Sequence, residues 1–471
     1  MVILSFMIQY MLRVNISIAI VEMVSKNDSN STKTHGPRYD WSENQKNDIL
    51  GIFFWGYIIT QIPAGRFSEI FGTKIVVGTG VLIASLLTVL VPMACMSLGV
   101  LWPSIPPMAT KWSSSTGTSM FMSHMFASAL GAAVTLPVCG YLIDNLGWPI
   151  VFYVTGSIGL IWTTAWFYLV YDTPAQHPRI NVEERENLER RNTFNMVKNY
   201  ETPWKQILTS APMWAYVGCN TSASIVTYFV LNHLPTYLDQ ILHFNIKQNG
   251  WLSSLPNIAK YIMAVVASYV AERLLKMKKV SKITIRKSCT TLMFGGTSLL
   301  LTGQAIWGDN RLVSILVFTS CLCLAGLGIP GYFCNSVDLS PSYSGTIFGV
   351  AQVPGSATGF VLAKLISLIV KDSRSFEQWG KVFWILASFQ LFACIIYLTC
   401  ASSNEQSWNP KRGGTDVEIL KSDDKKEIDE MDNKEIQPIL TVKIDYTIKF
   451  VKCIELYIIL FSTYLSDNFF V

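Results

Sequence analysis

The stretch ILGIFFWGYIITQIPAGRFSEIFGTK (residues 49–74) joins an apolar run of membrane length to a charged end that contains glycine. As a helix, the apolar part can cross most of the roughly 30 Å of hydrocarbon in a bilayer. In GRFSEIFGTK (65–74), the glycines permit a tight turn, while the acid and the bases can contact neighbouring helix ends. An ordinary charged turn is the alternative. The stretch predicts one membrane span and its short connection to the next.

The composition of the whole chain agrees with a membrane protein. Half of the 471 residues are hydrophobic, 15% are charged, and the mean hydropathy is +0.34. This balance is wrong for a soluble chain and indicates a lipid bilayer as the surroundings. The net charge of +5 is modest, and its basic residues are concentrated in a few loops. We therefore expect no nucleic-acid partner.

No pattern in the chain indicates an enzyme, a metal site or a cofactor. The ten cysteines lie in or beside apolar segments, so we expect free thiols. The five histidines are scattered, without the spacing of a zinc site or a catalytic triad. The phosphate-binding pattern G-x-x-x-x-G-K-[ST] is also missing from the sequence. Any transport would therefore draw on an ion gradient.

Apolar runs of roughly 18 to 25 residues recur about twelve times, each long enough to span a bilayer. A polar loop at 172–207 separates six of them, in 1–171, from six more, in 208–401. Residues 402–471 are predicted to form a charged, disordered tail. The pattern predicts an all-α polytopic membrane protein with the major facilitator fold: two six-helix halves and a substrate near the midplane between them. The predicted spans are 2–24, 47–65, 75–95, 97–112, 119–143, 148–171, 208–233, 248–272, 288–306, 312–334, 344–370 and 380–401.

Loop charge predicts the orientation in the membrane. ERLLKMKKVSKITIRK (272–287) carries seven basic residues and one acid, so it should face the cytosol. The loop at 172–207 lies on the same side by parity, and the loop at 25–46 lies opposite. That opposite loop contains glycosylation sequons at Asn27 and Asn30. Both termini are then expected in the cytosol.

Several long, collinear stretches resemble the solute carrier 17 family of anion transporters, over residues 2 to 408. This family includes sodium/phosphate cotransporters, the lysosomal sialic-acid exporter and vesicular glutamate transporters. The resemblance implies a secondary active transporter of small anions, such as phosphate or sialate, coupled to a sodium ion or a proton in a plasma, lysosomal or vesicular membrane. The stretches are RVNISIAIVEMV (13–24), ILGIFFWGYIITQIPAGRFSEIFG (49–72), LPVCGYLIDNLGWPIVFYVTGSIGLIW (136–162), SAPMWA (210–215), LPTYLDQILHFNIKQNGWLSSLP (234–256), NSVDLSPSYSGTIFGV (335–350) and EQSW (405–408).

Arg13 interrupts the apolar run IQYMLRVNISIAIVEMV (8–24) of the first span. An arginine on the lipid face costs several kcal/mol, so we expect this one to face the interior of the bundle. A guanidinium in that position can bind a carboxylate or a phosphate through two hydrogen bonds. The resemblance implies that Arg13 contacts the substrate anion; the alternative is a structural ion pair in the amino-terminal half. Asn15, two residues on, should face away and support helix packing.

Five more polar residues are site candidates. Tyr57 and Gln61 share a helical face and either line the cavity or hydrogen-bond between helices. Tyr228 matches a cavity position of the family, with core packing as the alternative. Asn335 and Asp338 match the family's N-x-x-D-x-x-P, which implies a substrate contact at Asn335. Asp338 is a candidate carrier of the coupling proton or sodium ion, with a helix cap or a salt bridge as the alternative.

The chain departs from the family at points that narrow its function. Leu50 and Ala223 stand where the glutamate transporters carry a histidine and an arginine, which argues against vesicular glutamate transport. The fourth span, VPMACMSLGVLWPSIPPMATKW (91–112), lacks its first half, and Leu98 stands where the family's coupling glutamate is expected. Its prolines suit a regular helix poorly. The alternative function is therefore a transport-dead paralogue or truncated isoform that acts as a membrane partner or regulatory protein.

Overall fold

The computed structural model of the chain describes residues 1–24, 58–87, 100–113, 117–181, 202–234, 237–238, 241–242, 246–278, 280–370 and 375–410. Residues 1–410 form one compact unit. The predictions for Asn27, Asn30, Leu50, Tyr57 and Leu98 lie outside the described residues, as does nearly all of the predicted tail.

The described part of the chain is built from α-helices and contains no strand. The first seven helices are α1 Val2–Val24, α2 58–71, α3 Thr73–Leu87, α4 Leu101–Trp112, α5 Thr118–Ser123, α6 Ala127–Leu146 and α7 Trp148–Leu169. The next eight are α8 Trp204–Thr209, α9 Ala211–Asn232, α10 Ile246–Lys276, α11 Lys282–Trp307, α12 Arg311–Ala325, α13 Asn335–Leu339, α14 Ser344–Ile369 and α15 Phe376–Cys400. Short 3₁₀ and π turns link α5 to α6 and α12 to α13.

Each of the twelve predicted spans overlaps at least one of these helices. Within the described residues, five helical segments are long and apolar enough to cross a membrane: Thr118–Ile143, Trp148–Leu169, Arg311–Leu339, Ser344–Ile369 and Phe376–Cys400. The apolar segments Val2–Asn15 and Thr73–Leu86 are shorter. The all-α membrane architecture is therefore confirmed.

Two glycines set sharp connections between consecutive helices. Gly72 has a φ of +92° between α2 and α3, and Gly147 has a φ of +87° between α6 and α7. This left-handed region is open to glycine at little steric cost. Beside the first turn, the Asp172 carboxylate accepts a hydrogen bond from the Lys74 backbone N–H at 2.6 Å. The tight turn predicted within residues 65–74 is confirmed at Gly72.

The fourth span is helical over Leu101–Trp112, twelve residues, although Pro106 and Pro107 lie inside it. The helix therefore forms despite the prolines that suit it poorly. Each proline lacks the N–H that would bond to the carbonyl four residues earlier. Residues 101–109 are all buried in the bundle, so packing compensates for the missing backbone bonds.

Contacts between helices join the two predicted halves into one bundle. Within the halves, α1 packs on α6 and α11 packs on α15; between them, α4 packs on α14 and α10 packs on α5 and α6. Asn15 donates a hydrogen bond to the Thr155 hydroxyl at 3.0 Å, which confirms its predicted packing role. Residues 402–410 also pack on the bundle, through a ring contact between Trp408 and Tyr343.

Candidate functional site

A cavity of about 70 Å³ lies between helices of the two predicted halves, with room for several water molecules. Its aromatic and apolar lining includes Trp102, Phe126 and Phe333. The polar and charged residues that line it are Tyr10, Arg13, Ser128, Asn220, Ser224, Thr227, Tyr228, Lys260 and Gln352. No aspartate or glutamate is among the described residues that line this cavity. Among the described lining residues, the charged side chains are those of Arg13 and Lys260.

Arg13 reaches the cavity from α1 and contacts aromatic rings on both sides. Its guanidinium carbon lies 5.4 Å from the centroid of the Tyr10 ring and 5.5 Å from that of Tyr228. Tyr10 is one helical turn before Arg13, whereas Tyr228 belongs to α9 in the other half. The structure therefore brings together two of the predicted site residues, Arg13 and Tyr228, with the arginine at the junction of the halves.

Lys260 is a second cation in the cavity, and the sequence analysis did not single it out. Its Nζ lies 4.5 Å from the centroid of the Phe126 ring and 3.5 Å from the Thr227 hydroxyl oxygen. Lys260 interrupts the apolar run of the predicted span 248–272. The rule that draws attention to Arg13, a cation at membrane depth, applies equally to this lysine.

A cluster of aromatic rings from both predicted halves adjoins the cavity. Trp102 stacks on Phe348 at 6.4 Å and meets Phe333 edge-on at 6.2 Å, and Phe126 also meets Phe333 edge-on, at 5.6 Å. Because Trp102, Phe126 and Phe333 also line the cavity, these rings form one wall of it. Phe348 lies near the start of α14, at the end of the bundle that loop charge predicts to be cytosolic.

At that end, Gly65 and Glu69 of α2 meet Gly345 and Thr346 of α14, a contact that we call the gate. A Cβ atom on Gly65 would lie 2.2 Å from the Gly345 carbonyl oxygen, so the two backbones touch. The Glu69 carboxylate accepts hydrogen bonds from the Thr346 N–H at 2.7 Å and from its hydroxyl at 2.8 Å. Burial raises the pKa of Glu69 to about 7, although the hydrogen bonds from Thr346 and Arg66 oppose that change.

A buried ion pair lies near the same end. Arg286 Nε donates to Asp338 at 2.8 Å, and a second nitrogen of Arg286 donates to the Ser119 hydroxyl of α5, in the other half, at 3.1 Å. Lys282 Nζ adds a contact to Asp338 at 3.2 Å. Asp338 therefore has the salt bridge that was the alternative to a coupling role, and the coupling role stays a prediction. Lys282 and Arg286, predicted in a loop, belong to α11 instead.

The remaining candidates lie away from the cavity wall. Gln61 is fully buried and donates to the Ser356 hydroxyl at 2.9 Å, so it makes the hydrogen bond between helices that was one of its two predicted roles. Asn335 is also fully buried, and neither its amide oxygen nor its amide nitrogen has a hydrogen-bond partner among the described residues. Neither residue lines the cavity in this conformation.

Comparisons with known proteins agree with this architecture. A profile of the Major Facilitator Superfamily matches residues 2–363. Sialin of Homo sapiens is 32% identical, over 86% of this chain and 88% of its own length. Vesicular glutamate transporter 2 of Homo sapiens is 31% identical, over 86% of this chain and 73% of its own length. A structure of the proton:xylose symporter XylE superposes with a TM-score of 0.62 at 13% identity, over 86% of this chain and 96% of that one. The XylE likeness concerns the fold alone.

Proposed function

Because the chain belongs to the Major Facilitator Superfamily and, within it, to the solute carrier 17 family, we propose that it transports small anions across a membrane. The cargo is an inorganic or organic anion, phosphate or a carboxylate such as sialate. A sodium or proton gradient drives the transport, and Arg13 fixes the anion near the midplane.

One observation carries this proposal: Arg13 lines a cavity shared by the two predicted halves, and no acidic side chain is among the cavity's described lining residues. In surroundings of low dielectric constant, a cation attracts an anion far more strongly than it does in water. The guanidinium also matches the planar fork of a carboxylate or the oxygens of a phosphate. The rings of Tyr10 and Tyr228 hold the guanidinium in place at the cavity.

The contacts at the gate suit alternating access, in which the halves rock around a fixed site. Release towards the predicted cytosolic side would break the Glu69–Thr346 hydrogen bonds and separate Gly65 from Gly345. It would also break the hydrogen bond from the Met120 N–H to Glu272, which joins α5 to α10. Each such polar contact contributes about 1–3 kcal/mol, so a gate built from a few of them can open and close reversibly.

The second candidate is a transport-dead paralogue that acts as a membrane partner or regulator. Its support is the fourth span, described as a helix of only twelve residues, in a sequence with Leu98 where the family's coupling glutamate is expected.

Uptake into proteoliposomes tests the two candidates. Labelled phosphate, sialic acid and glutamate are offered with and without sodium and with and without an inward proton gradient. We expect gradient-dependent uptake of phosphate or sialic acid, lost in Arg13→Ala and unchanged in Arg179→Ala, which removes an exposed arginine as the matched control. No uptake by correctly inserted wild-type protein would favour the transport-dead candidate.

A further inference from the structure

Lys260 is a cation at membrane depth, and no negative charge contacts it among the residues that the structure describes. Its Nζ atom lies 3.5 Å from the Thr227 hydroxyl oxygen, the long limit of a hydrogen bond, and 4.5 Å from the centroid of the Phe126 ring. An ammonium group has three N–H donors. Within the described part of the chain, at least two of the three therefore have no hydrogen-bond acceptor.

Packing does not explain a lysine at this position. Moving a charge out of water costs free energy, which an acidic partner or a ligand has to offset. An apolar side chain of similar length, such as methionine, would fill the same space without this cost. Because Lys260 lines the cavity between the predicted halves, a ligand in that cavity can supply the missing acceptors.

Three polar side chains of α9 line the same cavity, but their protons are already donated within the protein. The Thr227 hydroxyl donates to the Ala223 carbonyl at 3.0 Å, and the Ser224 hydroxyl donates to the Asn220 carbonyl at 2.8 Å. The amide of Asn220 donates to two acceptors on α14. Since a hydroxyl carries one proton, Thr227 and Ser224 would have to break these bonds before donating to a ligand. Lys260 would not.

From this arrangement of donors we infer that Lys260 is a cargo-binding residue, whose ammonium group binds an anionic oxygen of the cargo from the carboxy-terminal half of the protein. The ammonium is a compact charge with rotatable donors, which suits an oxygen of a phosphate or a carboxylate. The charge of Lys260, and not the hydroxyls of α9, sets the affinity on this side of the cavity. The inference rests on the proposed function and adds to it a residue that the family resemblance did not indicate.

Binding to the purified full-length protein in detergent tests the inference without requiring transport. The probes are inorganic phosphate and sialic acid at pH 7, and dissociation constants are taken from the rise in unfolding temperature with probe concentration. Lys260→Met and Lys260→Gln remove the charge. Thr227→Val removes the neighbouring hydroxyl, and Lys276→Met removes an exposed lysine of the same helix as the matched control. The unfolding temperature of each protein is also measured without a probe.

For each probe that the wild type binds, we expect Lys260→Met and Lys260→Gln to bind at least about tenfold more weakly, equivalent to ~1.4 kcal/mol. Thr227→Val and Lys276→Met should stay within about threefold of the wild type. Without a probe, Lys260→Met should unfold at or above the wild-type temperature, because it removes a charge that no described residue compensates.

Wild-type affinity in both neutral variants, above all with a lowered unfolding temperature, would mark Lys260 as structural; it overturns the inference and leaves the proposed function standing. An equal loss of affinity in Thr227→Val and Lys260→Met would assign the contact to the hydroxyl and also overturns the inference. Should Lys260→Met fail to fold, Lys260→Gln carries the same test. If the wild type binds neither probe, the inference and the proposed function are both overturned.

Discussion

Replacing Gly65 by alanine should hold the gate open. The added Cβ would lie 2.2 Å from the Gly345 carbonyl oxygen and 2.6 Å from its carbonyl carbon, whereas ordinary contact begins at 3.4 Å. Both of these atoms belong to the backbone, so no side-chain rotation relieves the clash. The helices must move apart by about 1 Å, which would weaken the nearby Glu69–Thr346 hydrogen bonds.

The substitution destabilises the closed state of the gate and leaves the stability of the open state nearly unchanged. Overpacking costs typically 1–3 kcal/mol, and alanine regains up to about 1 kcal/mol of helix propensity in both states. The propensity gain cancels between the two states, so we expect the ratio of closed to open molecules to fall by about 5- to 150-fold. Gly218→Ala in α9 is the matched control, because its added Cβ would meet no atom of the described residues within 4 Å.

Electron spin resonance measures this shift as a distance. Spin labels on Phe71 and Met277, both exposed at the gate end, are introduced into protein whose native cysteines have been replaced. In Gly65→Ala, the population with the longer distance between labels should grow, while Gly218→Ala should match the unsubstituted protein. Identical distance distributions in all three proteins would refute the argument that backbone contact at Gly65 closes the gate.

Two further substitutions test the polar contacts at the same end. Glu69 has a pKa of about 7 in the closed gate against an ordinary 4.5, so the closed form binds the proton more tightly. The closed gate should be most stable, relative to the open gate, below about pH 4.5. Its free energy advantage should fall by up to ~3 kcal/mol as the pH rises through 7. The same pair of spin labels should report this opening in the wild type and little pH dependence in Glu69→Gln; equal pH dependence in both would contradict the assignment. Asp338→Asn leaves the buried Arg286 without its carboxylate and should cost about 3–5 kcal/mol of stability, seen as a lower unfolding temperature. Retained stability together with loss of gradient-dependent uptake would instead support the coupling role of Asp338.

The sequence by itself determined the architecture and part of the site. Membrane spans follow from the length and hydropathy of single segments, which are local properties, so each of the twelve predicted spans overlaps a helix. Arg13 was recognisable because a cation in an apolar run is conspicuous wherever the helix packs. The same rule applies to Lys260, which the sequence analysis missed. The turn at Gly72 was also predictable, because the conformational freedom of glycine is a local property of the backbone.

Only the tertiary structure decided which polar groups meet. Glu69 finds its partner 277 residues away at Thr346, and Gln61 bonds to Ser356, which lies 295 residues on. Asp338 pairs with Arg286, which lies in α11, a helix that begins at Lys282 and not at residue 288 as the apolar run predicted. Such pairs depend on how separate helices pack. Hydropathy and loop charge predict where the spans lie and how they are oriented, but they do not predict which helices are neighbours. The physical reason is that each helix satisfies its backbone hydrogen bonds internally, whereas its polar side chains depend on the helices packed beside it.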